Sequence, residues 1–439
     1  MPIKSLKGLL GSLMCAATLA VLSTLSGCAT PCDAPGGLCA PIQANTSAGH
    51  PRATELAAPA AAPLPIPMAK PAPAEVQTMP VEDPNAAVQG QAGATAPAPA
   101  QAIRVALLLP LRSEALGAPA DALRAGFMAA YERDRTGFVV NLIETGDSAQ
   151  ETVDAYRAAL AQNDIVVGPL ARSAVGALAA SGAVAKPTIA LNHPDLRAAG
   201  ADAALPAKML VMGLSIEDEA RQVAQWAASD HPGARALIVT GANAWQRRLA
   251  TAFAAHWKQL GNQVETAELA DSNGYLSESG LSALRNRVDA ESPDLLFAAL
   301  DAGQARQLRG ALGIEVALYG TSSVNPGTGP GTGEPQLEMD GVHVLDMPWQ
   351  LQPDHPAVMV YPRWEGPRRT LDLDRLYALG IDAFRVAREI GLEPSTSFEM
   401  DGVTGRLRVS FGKGAARFER IQPTAVYLGG AFKLVGKPR

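Results

Sequence analysis

The chain is expected to fold as an α/β protein with two doubly wound parallel-sheet lobes, carried behind a signal peptide and a disordered tether. Three observations predict this. The run Ile103-Arg104-Val105-Ala106-Leu107-Leu108-Leu109 is almost wholly apolar, as a strand is when helices cover both faces of its sheet. Such runs alternate with amphipathic stretches of roughly 10–15 residues, the rhythm of βαβ units. That rhythm reaches residue 191 and starts afresh near 216, and two sheets accommodate so many strands more economically than one.

Ahead of the folded part, Lys4 and Lys7 supply a positive n-region, and Leu9 to Leu22 an apolar segment too short to span a bilayer. Small residues then lead to Leu25-Ser26-Gly27-Cys28. Residues 1–27 therefore read as a secretion signal and not as part of the fold. Residues 29–100 hold 14 of the 34 prolines and no Phe, Trp or Tyr. A segment of that composition cannot bury enough apolar surface to offset its ordering entropy. We expect residues 28–100 to be a spacer, semi-rigid where proline is dense, with a relaxed reach of roughly 50 Å.

In the folded part, Pro110 ends the first strand. Pro119 to Arg133 is predicted helical, with Ala122, Leu123, Gly126, Phe127 and Ala130 on one stripe. Phe138 to Ile143 is a strand and Ala149 to Ala161 a helix. Asp164 to Val167 is a strand stopped by Gly168-Pro169, followed by a helix at Ala171 to Ser181 and a strand at Pro187 to Leu191. The second round has helices at Ile216 to Ala228, Asn243 to Leu260, Leu281 to Val288 and Ala302 to Ala311. Its strands are Ala236 to Thr240, Gln263 to Ala267, Leu295 to Leu300 and Val316 to Tyr319. The tail adds a helix at Leu373 to Ile390 and short antiparallel strands at Gly405 to Ser410, Ala416 to Ile421 and Thr424 to Leu428. The expected division is 101–213 plus 344–398 for the first lobe and 214–343 plus 399–439 for the second.

Two resemblances sharpen the reading. The L-S-G-C word resembles the lipobox of bacterial lipoproteins, which implies cleavage before Cys28 and its acylation. Several acyl chains hold a protein far more firmly than one, at about 0.8 kcal/mol per buried methylene. Ala29 in place of Asp implies sorting to the outer membrane. The two lobes, with a chain that returns to the first, resemble the type I periplasmic-binding fold, whose lobes close on a ligand at the carboxyl ends of the strands. Further words carry a closer likeness: Val105-Ala106-Leu107-Leu108-Leu109-Pro110-Leu111, Arg124-Ala125-Gly126-Phe127, Val166-Val167-Gly168-Pro169-Leu170 and Ala190-Leu191-Asn192. Later come Asp340-Gly341-Val342, Asp346-Met347-Pro348-Trp349, Leu376-Tyr377-Ala378-Leu379-Gly380-Ile381-Asp382-Ala383 and Gly402-Val403-Thr404-Gly405. In that order they resemble the penicillin-binding-protein activator family of LppC-like lipoproteins over roughly residues 101–435. The resemblance implies a non-enzymatic regulator that contacts a class A penicillin-binding protein, a peptidoglycan synthase. Long members carry a helical-repeat domain first, where this chain holds only the tether.

Composition excludes other classes. Net charge is −6, or −8 after losing Lys4 and Lys7, whereas nucleic-acid binding needs a clustered basic surface. The cysteines are Cys15, Cys28, Cys32 and Cys39, so the folded part uses no thiol chemistry; Cys32 and Cys39 either pair or stay free. There is no G-x-S-x-G, no H-E-x-x-H and no metal spacing among the six histidines. No catalytic residue, metal or cofactor is expected.

Ligand-cleft candidates are the loops at strand ends: Arg112 and Ser113, Gly168-Pro169-Leu170, Asn192 and His193, and Thr321 with Ser322 from the second lobe. Each also has a plainer reading as turn chemistry. The Gly-Pro-Leu-Ala-Arg-Ser stretch lacks the hydroxyl pair that amino-acid-binding relatives place there, which weakens the alternative reading: a substrate-binding lipoprotein of an ABC transporter with a small ligand between its lobes. Trp349, Tyr361, Arg363, Trp364, Arg368 and Arg369 form a basic-aromatic segment, and such side chains are favoured interface anchors. They are the expected partner surface; the plainer reading is a loop packed over the first lobe.

Overall fold

The computed structural model describes residues 102–194, 205–327, 336–367 and 369–436. The signal, Cys28, the tether and Arg368 lie outside the described residues.

The first strand, β1 (Ile103–Leu109), sets the logic of the first lobe. Val105 to Leu109 have no exposed surface. Successive side chains of a strand point to opposite faces, and here both faces are cores. Val105, Leu107 and Leu109 join one cluster, whereas Ala106 and Leu108 join another. Around β1 lie β2 (Phe138–Glu144), β3 (Ile165–Val167), β4 (Thr188–Ala190) and β5 (Met209–Val211), all parallel in the order β2-β1-β3-β4-β5. Helices α2 (Ala149–Leu160) and α3 (Arg172–Ala180) cover one face. Helix α1 (Gly117–Arg133) and the long α9 (Leu371–Leu392) cover the other.

Helices α1 and α9 nearly touch, through two glycines, Gly126 and Gly380. A Cβ added at Gly126 would sit 1.9 Å from the Tyr377 carbonyl oxygen, and one at Gly380 would sit 2.0 Å from that of Leu123. Phe127 and Phe384 meet edge-on beside this crossing, with centroids 5.3 Å apart. Overpacking a close contact costs about 1–3 kcal/mol. Gly126→Ala is therefore expected to lower the urea midpoint by that equivalent, whereas Gly310→Ala, inside the helix Ala302–Leu312 with no neighbour within 4 Å, is expected not to lower it.

The second lobe repeats the plan. Parallel strands β6 (Arg235–Thr240), β7 (Gln263–Glu268), β10 (Leu295–Ala299), β11 (Ala317–Gly320) and β12 (Val342–Leu345) are extended by antiparallel β16 (Thr424–Leu428) and β17 (Ala431–Leu434). The order is β17-β16-β12-β11-β10-β6-β7. Helices α4 (Ile216–Asp230) and α5 (Ala244–Gln259) flank one face, α6 (Glu278–Glu291) and α7 (Ala302–Leu312) the other. A two-stranded ribbon, β8 (Asp271–Ser272) with β9 (Tyr275–Leu276), and the single turn α8 (Pro348–Leu351) complete these elements.

The expected division needs correction in two places. Residues 344 and 345 belong to β12 in the second sheet, so the return to the first lobe starts at Asp346. The tail from 399 does not join the second lobe whole. Instead β13 (Ser397–Asp401), β14 (Arg406–Ser410) and β15 (Arg417–Ile421) form a separate antiparallel sheet. Its inward residues Leu407, Val409 and Phe411 pack into the first core. Only β16 and β17 join the second sheet, so the last crossover lies near Gln422.

Candidate functional site

Three crossovers join the lobes: β5 to α4, β12 to α8, and β15 to β16. The loops after parallel strands β4, β5, β11 and β12 converge on them, because parallel strands put their carboxyl ends on one edge. Side chains from distant parts of the chain then meet in a buried polar hub.

Arg375, on the first turns of α9, donates from Nη2 and Nε to the Asp346 carboxylate at 2.7 and 3.3 Å, and from Nη2 to the Ser322 carbonyl at 2.8 Å. Asp346 is completely buried and Arg375 is 8% exposed. Asn325 and the Met347 amide donate to the same carboxylate at 2.7 and 2.8 Å. Ser322 gives its N–H (3.1 Å) and its hydroxyl (2.7 Å) to Glu219 on α4. Gln422, on the last crossover, approaches the other Glu219 oxygen at 3.4 Å.

Electrostatics follow from burial. Loss of water and then the neighbouring Asp346 charge push the Glu219 carboxyl up to about 7, against the Ser322 hydrogen bonds and Arg375, which pull it down. Burial alone would lower the Arg375 guanidinium, yet Asp346 carries it above its ordinary value.

A second cluster binds the other crossovers. Arg420 donates to the carbonyls of Gly213 and Met212 and to the Thr404 hydroxyl, each at 3.0 Å. Burial lowers it to about 10. The Thr404 hydroxyl donates a hydrogen bond to Asp382 on α9 at 2.7 Å, and the Val403 and Thr404 amides donate there too. The words Asp346-Met347-Pro348-Trp349, Ile381-Asp382-Ala383 and Gly402-Val403-Thr404-Gly405 are thus parts of one hub. Beside it lies a cavity of about 290 Å³ lined by His193, Gly213, Glu219, Gln222, Arg420 and Gln422. His193 is held below its ordinary value, chiefly by burial.

The predicted residues scatter around this hub. His193 lines the cavity, and Ser322 is a central member of the hub. Thr321 is fully buried and caps the short turn Ser322–Val324. Asn192 closes a turn, donating to the Leu170 carbonyl at 3.1 Å and accepting from the His193 amide at 2.9 Å. Arg112 pairs with Glu151 on the first turn of α2, and Ser113 hydrogen-bonds Asp147 and accepts from the Leu116 amide at the entry to α1. Gly168 adopts φ +121°, and a Cβ there would sit 2.1 Å from the Leu108 carbonyl oxygen. The Gly168–Pro169 peptide is cis, and Leu170 is core.

The expected partner surface is corrected. Trp349 is wholly buried, Tyr361 and Trp364 are at most 9% exposed, and all three lie in the first-lobe core. Arg363 lies over the Trp349 ring, 4.2 Å from its centroid, and donates to the Trp349 carbonyl at 2.7 Å. Arg369 pairs with Asp374 at 3.1 Å. Aromatic rings beside arginines suit a packed loop as well as an interface, and here the rings are taken by the first-lobe core, Trp349 against Tyr377 of α9 and Tyr361 beside Arg133 of α1. Met359 and Val360 are the segment's exposed large apolar side chains.

Sequence reasoning missed Glu219, Arg375, Asp382 and Arg420. Three carried a readable signal. Glu219 shares a helical stripe with Val223, Ala224 and Ala227, and Arg375 and Asp382 share one with Leu379, Ala383 and Val386. A charge on an apolar stripe is buried with a partner or it is not buried.

Comparison with known proteins places the fold. The family model for LppC, described as a lipoprotein, matches residues 98–417. Among curated proteins, the penicillin-binding protein activator LpoA of Haemophilus ducreyi is 27% identical over 316 residues, covering 69% of this chain and 50% of that protein. LpoA of Glaesserella parasuis is 30% identical over 321 residues with the same coverage. The chain spans about half the length of these curated relatives. Among solved structures, one from Chromobacterium violaceum described as a branched-chain amino acid ABC transporter is 37% identical, with TM-score 0.60, covering 74% of this chain and 99% of that one. The LpoA C-domain of Haemophilus influenzae, described as a regulator of PBP1A, is 21% identical with TM-score 0.58, covering 76% of this chain and all of that domain. These likenesses agree on a periplasmic-binding-protein-like α/β fold.

Proposed function

The chain belongs to the LppC lipoprotein family, and on that premise we propose that it is an outer-membrane lipoprotein that activates peptidoglycan synthesis by binding a class A penicillin-binding protein. The observation that carries the reading is the family match across residues 98–417, which takes in nearly the whole two-lobed domain. In this reading Cys28 is the lipid anchor, residues 29–100 are the spacer, and the lobes, divided at the crossovers described above, present the partner surface. The protein is a regulator and not an enzyme. Contact biases the synthase toward an active state through its differential affinity for that state.

A second reading has its own support. The 37% identical structure described as an ABC transporter protein favours a small-molecule receptor, with the cavity beside His193 as its site. Against it, Thr321 and Ser322, the hydroxyls expected to face a ligand, are spent on a cap and on Glu219.

The test is a pull-down from solubilised envelope of the source organism, with the lipid-free chain as bait and mass spectrometry as readout. Recovery of a class A penicillin-binding protein is the expected result. Recovery of a transporter permease without it would favour the receptor, and ligand screening by thermal shift would follow, since a ligand that binds only the folded state raises its melting temperature.

A further inference from the structure

Two lobes joined by three short crossovers are free to swing unless side chains span the joint. In this molecule one guanidinium spans it. Arg375 belongs to the first lobe through α9, grips Asp346 in the middle crossover by two nitrogens, and donates to the Ser322 carbonyl in the second lobe. Behind Ser322 the chain of bonds runs on to Glu219 on α4, and Gln422 on the last crossover completes it.

We infer that Asp346, Arg375, Ser322 and Glu219 form a latch that holds the two lobes at one fixed angle without a ligand. The latch goes beyond the proposed partner and concerns the domain's own mechanics. Swinging the lobes would pull Arg375 from the Ser322 carbonyl or from Asp346. Both charged groups are buried, and a charge stripped of its partner in such a place is strongly disfavoured. The groups facing Glu219 are Ser322 from the loop after β11, Gln422 from the last crossover, and the charges of Asp346, Arg375 and Arg420. Between Arg375 and Glu219 the joint is bridged by the protein's own atoms, which do there what a bound ligand does in a clamshell receptor, and the cavity beside His193 lies to one side of that chain of bonds. A domain latched in this way offers its partner one preformed surface.

Electron-electron resonance tests it on the full lipid-free chain. Every native cysteine lies before residue 40, so those four can be changed to serine, and labels placed at Ser173→Cys on α3 and Ser282→Cys on α6, both exposed. The expected result is one narrow inter-label distance, unchanged by added leucine. The double variant Asp346→Asn/Arg375→Met, which removes both charges together, is expected to broaden or shift that distance while keeping its circular dichroism. A broad distance in the ligand-free wild type, a shift on adding leucine, or a double variant identical to wild type would overturn the latch. Hydrogen exchange of the unmodified chain gives an independent reading that no folding defect can confuse. The Ser322 amide, donated to Glu219, is expected to exchange as slowly as the amides of β11, and fast exchange there would equally overturn the proposal.

Discussion

Arg375→Met is expected to destabilise the domain by about 3–5 kcal/mol, because it leaves the Asp346 carboxylate buried without its counter-charge. Asp346 has no exposed surface and keeps only Asn325 and the Met347 amide as donors once the guanidinium is gone. Ser322 loses the donor to its carbonyl at the same time. The double change Asp346→Asn/Arg375→Met removes both charges, and well-packed neutral replacements of a buried pair are often close to neutral. Its loss is expected to be clearly smaller than that of Arg375→Met alone. Urea unfolding of the two variants decides the matter: equal losses would mean that the two side chains are not coupled.

Glu219→Gln is expected to make the domain more stable above neutral pH and to flatten its pH dependence. The folded state holds this carboxyl at about 7, against an ordinary value of 4.5, mainly because burial penalises the charged form. Between those values the folded chain binds more protons at this site than the unfolded chain does, so stability falls as pH rises. The cost is complete above about pH 7 and amounts to roughly 3 kcal/mol at most. Glutamine is neutral throughout and its carbonyl still accepts from Ser322. The variant should therefore gain stability relative to wild type at pH 8 and match it below about pH 4.5. A gain that is the same at both pH values would show that Glu219 does not titrate in this window.

The sheet strands and helices were largely legible because their signals are local. β1 reads as buried on both faces from seven consecutive residues, α1 reads as amphipathic from its stripe, and α9 reads as a helix over Leu373 to Ile390. The Gly126-Phe127 and Gly380 words were legible as words, but not as the close crossing of two helices. The hub was illegible for a different reason: its partners are far apart in the chain. Asp346 and Arg375 are 29 residues apart, Glu219 and Ser322 103, and Arg420 and Gly213 207. Nothing in one sequence pairs them, although a charge on an apolar stripe marks where a partner is needed. β13 escaped because its inward residues, Phe398 and Met400, form too short an alternation to stand out. Trp349, Tyr361 and Trp364 belong to the core and not to a surface, and composition alone does not separate a partner surface from a packed loop.

We propose that this domain acts on a peptidoglycan synthase. It is tested most directly by adding the purified lipid-free chain to the class A penicillin-binding protein of the same organism and following glycan polymerisation and peptide cross-linking from lipid-linked precursor. The rate of one of these reactions is expected to rise with the concentration of the chain and to saturate. An unchanged rate for every class A enzyme of that organism, with the chain folded and in excess, would contradict it.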